Sequence, residues 1–255
     1  MTLTISALKG IPLIRQGDDL ADILLDSLDQ NHILLENNDI LVLAQKIVSK
    51  AEGRIVSLGE VVPSIKALDL AEHADKDHRL MELILRESTE VLRIRKGAVI
   101  VVHRLGFVCA NAGIDHSNVS PLAGGNSEEV LLLPVDPDRS ARSIRESIQA
   151  RTAKSIGVMI IDSHGRAWRN GTVGTCIGLS GIPPLIDERG WKDLFGYQLK
   201  ITILGVADEL AAAASLMMGQ AAEGIPAVHI RGFPYPLGDG SLQDLIRERE
   251  LDLFR

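Results

Sequence analysis

The sequence predicts a mixed α/β (α+β) protein, because apolar strand-like runs and amphipathic helical segments interleave from one end of the chain to the other. With 45% hydrophobic residues over 255 positions there is ample material for a buried core, and the repeat of strands and helices is too irregular for a (β/α)₈ barrel. No internal repeat of fixed period and no low-complexity linker interrupts the chain. Residues 1–255 are therefore read as a single domain, with a boundary between two lobes expected within 162–197.

An extended segment opens the chain at residues 3–8, followed by a tight turn through Gly10, Ile11 and Pro12. An amphipathic helix is expected over 18–28 with Asp18 as its cap, then a buried strand over 39–44. Helices over 64–73 and 77–88 follow, the second carrying Leu80, Leu83, Ile84 and Glu87 at helical spacing, and strands near 91–95 and 98–103 complete the block. The glycine and proline cluster at 121–126 reads as a loop, 131–135 as extended chain and 140–154 as a helix. A strand over 157–161 ends in Asp162, and a polar loop is expected over 163–174. A strand over 199–206 leads into an alanine-rich helix over 207–218, and a last strand over 227–231 precedes a charged C-terminal helix.

Composition excludes several classes. A formal net charge of -7 disfavours a nucleic-acid partner, because phosphate binding needs a basic surface, and 3% aromatic residues leave few rings for stacking bases. Cys109 and Cys176 lack CxxC spacing, so neither a zinc site nor a disulfide framework is expected. No segment reads as a signal peptide or approaches ~20 uninterrupted apolar residues, so no membrane association and a cytoplasmic location are expected. The usual nucleotide motifs GxxxxGK[ST] and GxGxxG are absent, as are HExxH and GxSxG.

Four segments combine residue types that could carry chemistry. Gln45, Lys46, Ser49 and Lys50 follow directly on a buried strand, where two mobile ammonium groups four apart could neutralise phosphates; an ordinary solvated loop would use the same residues. Asp115 and Asn118 supply two oxygens within one turn after a glycine, suited to a hard divalent cation or simply to a turn. Asp162 and Ser163 stand at a strand end where a rigid backbone could aim them at a metal, and Arg166 and Arg169 could clamp phosphate or carboxylate oxygens. In the fourth, Asp208 and Glu209 suit the dipole of the alanine-rich helix, while Met218, Gly219, Gln220 and Gly224 form a small-residue stretch that a nucleotide could approach closely or that merely stops a helix.

Taken in order, LAQKIVSKAEGR, GFVCANAGIDHSN, IDSHGRAWRNG and GVADELAAAASLMMG resemble the gamma-glutamyl ligase family of coenzyme F-420 biosynthesis, over roughly residues 10–232. The resemblance implies a two-lobed fold in an intertwined homodimer. The implied activity is that of a GTP-dependent amide ligase, unrelated to ATP-grasp enzymes, that adds L-glutamate to the carboxylate of a deazaflavin precursor through an acyl phosphate. It further implies manganese or magnesium, with potassium as an additional candidate. By motif, the metal positions are Asp115, Asp162, Ser163 and Gln220. The nucleotide positions are Ile11, Pro12, Leu13, Ile14, Gln45, Lys46, Lys50, Asn118, Met217, Met218, Gly219, Gln220 and Gly224. Lys46, Lys50, Arg166 and Arg169 are the candidates for acting on the reacting groups.

The chain departs from the family pattern at Thr172, Val173 and Gly174, where glutamine, threonine and aspartate are usual, and at His164, where an aromatic or apolar side chain is usual. Two alternatives therefore stand beside the named reaction: a related nucleotide-dependent ligase with another carboxylate acceptor, and a nucleotide-binding protein without catalysis.

Overall fold

The structure, a computed structural model, describes residues 2–119 and 128–253. The loop expected at 121–126 lies outside the described residues. In chain order the elements are β1 (Thr4–Ala7), α1 (Leu20–Gln30), β2 (Ile40–Ala44), α2 (Gln45–Ala51), β3 (Ile55–Ser57), α3 (Ile65–Ala74), α4 (His78–Arg86), β4 (Ser88–Arg95), β5 (Ala98–His103), β6 (Val108–Ala110) and β7 (Glu129–Leu131). They continue with α5 (Pro137–Thr152), β8 (Gly157–Arg166), β9 (Arg169–Ser180), β10 (Ile186–Asp187), β11 (Ile203–Leu204), α6 (Val206–Met218), β12 (Ala227–Arg231) and α7 (Leu242–Leu245).

Five strands form the main sheet in the order β1-β12-β2-β8-β9, with β2 and β8 parallel and the other pairs antiparallel. Successive side chains of a strand point to opposite faces, and here both faces are buried. Leu41, Leu43, Val158 and Ile160 pack into a core with α1, α2 and α5 on one side, whereas Ile40, Val42, Met159 and Ile161 pack against α6 on the other. A further core joins α3, α4, the β4-β5-β6 sheet and the β3-β7 pair, around Met81, Ile84, Val99 and Val101. Phe107 packs against both this core and that beneath the main sheet. The mixed α+β class follows.

Several boundaries differ from expectation for identifiable reasons. Helix α1 is capped by Asp19, which accepts from the amides of Ala21 and Asp22, while Asp18 instead accepts from Arg15 in the preceding turn. Helix α5 starts three residues earlier than expected, because Asp136 caps it and Pro137 occupies the first turn, where its missing N–H costs nothing. The polar stretch 163–174 is not a loop: β8 runs on to Arg166 and turns back at Arg169 into β9, so Asp162 lies within a strand. Pairing across this hairpin satisfies the backbone, and polar side chains are tolerated because its tip is exposed. Of the strand expected at 199–206 only Ile203–Leu204 pairs, in a small ribbon with β10. Among the described residues the charged C-terminus forms only the four-residue α7 and one 3-10 turn.

Candidate active site

Where β2 ends, the chain enters α2 without a loop, so Gln45, Lys46 and Lys50 are helical residues and not the solvated loop that the sequence allowed. Residues four apart on a helix share a face, and that face meets the 115–118 segment. Gln45 Nε2 donates to Asp115 Oδ2 at 2.6 Å, and Lys46 Nζ stands 3.4 Å from the same oxygen. Lys46 Nζ also donates to Ser117 Oγ at 2.8 Å, and Lys50 Nζ to the Asn118 carbonyl at 2.6 Å. The fully buried Ser49 donates to Gln45 Oε1 at 2.8 Å, which turns the amide nitrogen towards Asp115. Ser117 is thus an orienting group that the sequence alone did not mark out.

A cavity of about 440 Å³ opens beside this face, within the ~300–1,000 Å³ common for small-molecule sites. It is lined by Ile11, Pro12, Leu13 and Ile14 from the turn after β1, by Gln45, Lys46 and Lys50, by Asn118, and by Asp162 and Ser163 from β8. Met218, Gly219, Gln220 and Gly224 close it from the end of α6, together with Ser215 and Glu223. Asn118 spans two of these walls, accepting from Lys50 and donating through Nδ2 to the Ala221 carbonyl at 3.1 Å. Gly219 has φ +72, and a Cβ there would lie 2.2 Å from Glu223 Cδ, so the chain passes this corner only as glycine.

Not every candidate converges. Asp115 does not line the cavity but is held against it by Gln45 and Lys46. Met217 is partly exposed outside the lining. Arg166 and Arg169 pair at the exposed tip of the β8–β9 hairpin, where Arg166 donates to the Gly171 carbonyl, and neither lines the cavity of its own chain. Asp208 is tied to the fold: its Oδ1 accepts from the Cys176 amide at 2.9 Å, fastening α6 to β9.

The electrostatics follow from burial. Burial pushes the Asp115 carboxyl up to about 6, against the pull of Lys46, and the charge of Asp162 adds to the rise. Asp115 therefore feels the charge of Asp162, 47 positions away in the numbering. Burial, and then the neighbouring Lys46, draws the Lys50 ammonium below its ordinary value. Asp162 Oδ2 lies 3.0 Å from His164 Nε2. Among the described residues no group of three or more His, Cys, Asp or Glu is gathered for a metal; the oxygens on offer here are carboxylate, hydroxyl and amide.

A partly apolar cavity with two ammonium groups, the carboxylates of Asp162 and Glu223 and a glycine-bearing loop on its walls suits a small charged ligand, which makes this an α+β protein with an enzyme-like site. The family described as F420-0:Gamma-glutamyl ligase matches residues 10–232, and the chain belongs to that family and is a ligase. It is 46% identical, over 100% of both chains, to a protein of Methanothermobacter thermautotrophicus named coenzyme F420:L-glutamate ligase. Proteins of the same name from Methanopyrus kandleri (44% identical, 97% of each chain) and Archaeoglobus fulgidus (41% identical, 100% of this chain and 97% of the other) are also similar.

Proposed function

We propose that the chain joins L-glutamate to the carboxylate of a deazaflavin coenzyme F-420 precursor, with GTP as the energy source. The observation that carries this reading is the gathering of Ile11, Gln45, Lys46, Lys50, Asn118, Asp162, Ser163 and Gln220 around one cavity from five separate stretches of sequence. The acceptor carboxylate attacks the terminal phosphorus, the bond to the nucleoside diphosphate breaks, and an acyl phosphate forms. The glutamate amine then attacks the acyl carbon, phosphate leaves, and the amine proton is lost to give the amide.

In this reading Lys46 and Lys50 hold the phosphate oxygens and offset the charge moving onto the leaving diphosphate. The 219–224 stretch brings backbone close to the ligand, and Ile11, Pro12, Leu13 and Ile14 give the base an apolar wall. The donor set fits manganese or magnesium: Asp115, Asp162, Ser163 and the Gln220 amide are oxygen donors, and the charge of Asp162 adds to the cost of ionising Asp115. Such a cation would supply charge neutralisation at the transferring phosphoryl group. Arg166 and Arg169 are proposed to meet a substrate carboxylate from the hairpin tip.

The homodimer fits the 185–204 arm, on which Trp191, Leu194, Phe195, Tyr197 and Ile201 stand in solvent. Leu194 and Phe195 are 98% and 95% exposed, a cluster of side chains that a second copy would cover. No helix among the described residues is long and apolar enough to cross a membrane, and the two buried cysteines are free thiols, in keeping with the cytoplasm.

A second acceptor remains a reading because of Gly174. A Cβ there would lie 2.4 Å from the Ala211 carbonyl oxygen, so the usual aspartate has no room and α6 packs directly on β9. The test supplies GTP or ATP, manganese, L-glutamate and the unglutamylated deazaflavin, with and without potassium, and follows phosphate release and product mass. A product heavier by one glutamyl group is expected. Nucleotide turnover only with another carboxylate supports the second acceptor, and nucleotide binding without turnover in any mixture defeats catalysis.

A further inference from the structure

We infer that His164 is the positioning residue of this site: its imidazole holds one oxygen of Asp162 so that the other is presented to the cavity. The inference rests on the proposed divalent cation. Residues 162 and 164 are two apart on β8 and so project from the same face of the sheet. Just before Asp162 the ladder is irregular: β9 carries an extra residue, Ile177, between the partners of Ile160 and Ile161, and a bulge of this kind re-aims the side chains beside it. His164 Nε2 lies 3.0 Å from Asp162 Oδ2. With the imidazole neutral and its proton on Nε2, His164 donates and Asp162 accepts.

The ring cannot swing away. His164 is 9% exposed and packs on Phe107 with ring centroids 5.1 Å apart, while Phe107 stacks on the fully buried His103 at 5.1 Å and 5°. Phe107 itself bridges two hydrophobic cores, so the position of His164 is set by the joint between them. A buried imidazole needs a partner, and an aspartate facing a wet cavity would otherwise sample several rotamers. One bond satisfies the first and restrains the second, so cation binding orders less of the side chain.

The test is a manganese titration of the full chain without nucleotide or substrates, followed by the electron paramagnetic resonance of free manganese, beside thermal melts. His164→Phe keeps the ring and removes the donor; about a 10–100-fold weaker manganese affinity is expected with little change in melting temperature. His164→Gln restores a donor and should recover most of the affinity. If H164F binds manganese within twofold of the unaltered chain, the inference is overturned. Asp162→Asn separates the two ideas: if it binds as the unaltered chain does, or if the unaltered chain binds no manganese, the cation reading fails and takes the inference with it. Should H164F lose its fold, Phe107→Leu decides, since loosening the ring beneath His164 weakens binding several-fold if the imidazole orients Asp162, and leaves it unchanged if it does not.

Discussion

Gln45 Nε2 donates to Asp115 Oδ2 across 2.6 Å, although 70 positions separate the two residues, and Ser49 fixes the amide from behind. Replacing Gln45 by Leu keeps the volume and leaves this oxygen with Lys46 alone at 3.4 Å. Stability is expected to fall by about 1–3 kcal/mol in urea unfolding, the usual cost of a buried polar group losing its partner. Phosphate release should slow by about tenfold or more. Unchanged kinetics with the stability loss would confine Gln45 to a structural role.

Lys50 is the clearest separation of binding from chemistry, because its ammonium reaches the Asn118 carbonyl on the cavity wall. Lys50→Ala is expected to raise the KM for GTP by about 10–100-fold, the loss of one charge-assisted hydrogen bond, with a smaller effect on kcat. Fluorescence titration with a labelled guanine nucleotide checks it directly. Equal affinity in the variant would remove Lys50 from the nucleotide site.

Acid should weaken the joint around Glu87. Burial raises the Glu87 carboxyl, but Arg104 at 2.8 Å and Arg54 at 3.0 Å outweigh it and hold the group below its ordinary value. Its contribution is therefore present above the ordinary carboxylate value and is lost as pH falls through the lower folded one. His103, buried beside it, is drawn down to about 4 from 6.5, chiefly by burial. The unfolded chain takes up this proton first, so stability is complete above 6.5 and declines until about 4. At about 1.36 kcal/mol per pH unit that is a loss of ~3 kcal/mol. From urea melts at pH 7, 5.5 and 4, the unaltered chain should lose about that much more stability between pH 7 and 4 than His103→Gln does, and equal losses would sink the assignment.

Gly174 holds α6 on β9, with its amide donating to Ser215 Oγ at 3.2 Å. Gly174→Ala drives a methyl group into the Ala211 carbonyl oxygen and should cost about 1–3 kcal/mol. Because α6 leads into the 219–224 wall, a rise in the KM for nucleotide should accompany the lower melting temperature. A variant as stable as the parent would show that the helix can move away freely.

Leu194 and Phe195 provide the test of assembly. Phe195→Asp puts a charge on the exposed apolar arm and should shift sedimentation from dimer to monomer without lowering the melting temperature of the isolated chain. A parent chain that sediments as a monomer at micromolar concentration would end the homodimer proposal.

The length and continuity of apolar runs over 39–44, 157–161 and 227–231 were enough to identify three strands of the main sheet, and the alanine-rich run over 207–218 enough for α6. These are local signals: the period of the side chains and the absence of helix breakers write them into short windows. Motif order pointed to Lys46 and Lys50 as phosphate-binding candidates, but that they share a face follows only from α2, where sequence alone suggested a strand end or loop. What sequence left open is everything that depends on which segments meet. The 163–174 hairpin is a strand pair only because β9 returns along β8, and Arg166 and Arg169 were carried to its exposed tip, away from the cavity of their own chain. The bond from Gln45 to Asp115, the stack of His103, Phe107 and His164, and the tight seat of Gly174 under α6 join residues from different parts of the chain. Packing decides such contacts, because close-packed interiors select among many distant pairings that local propensity treats as equal.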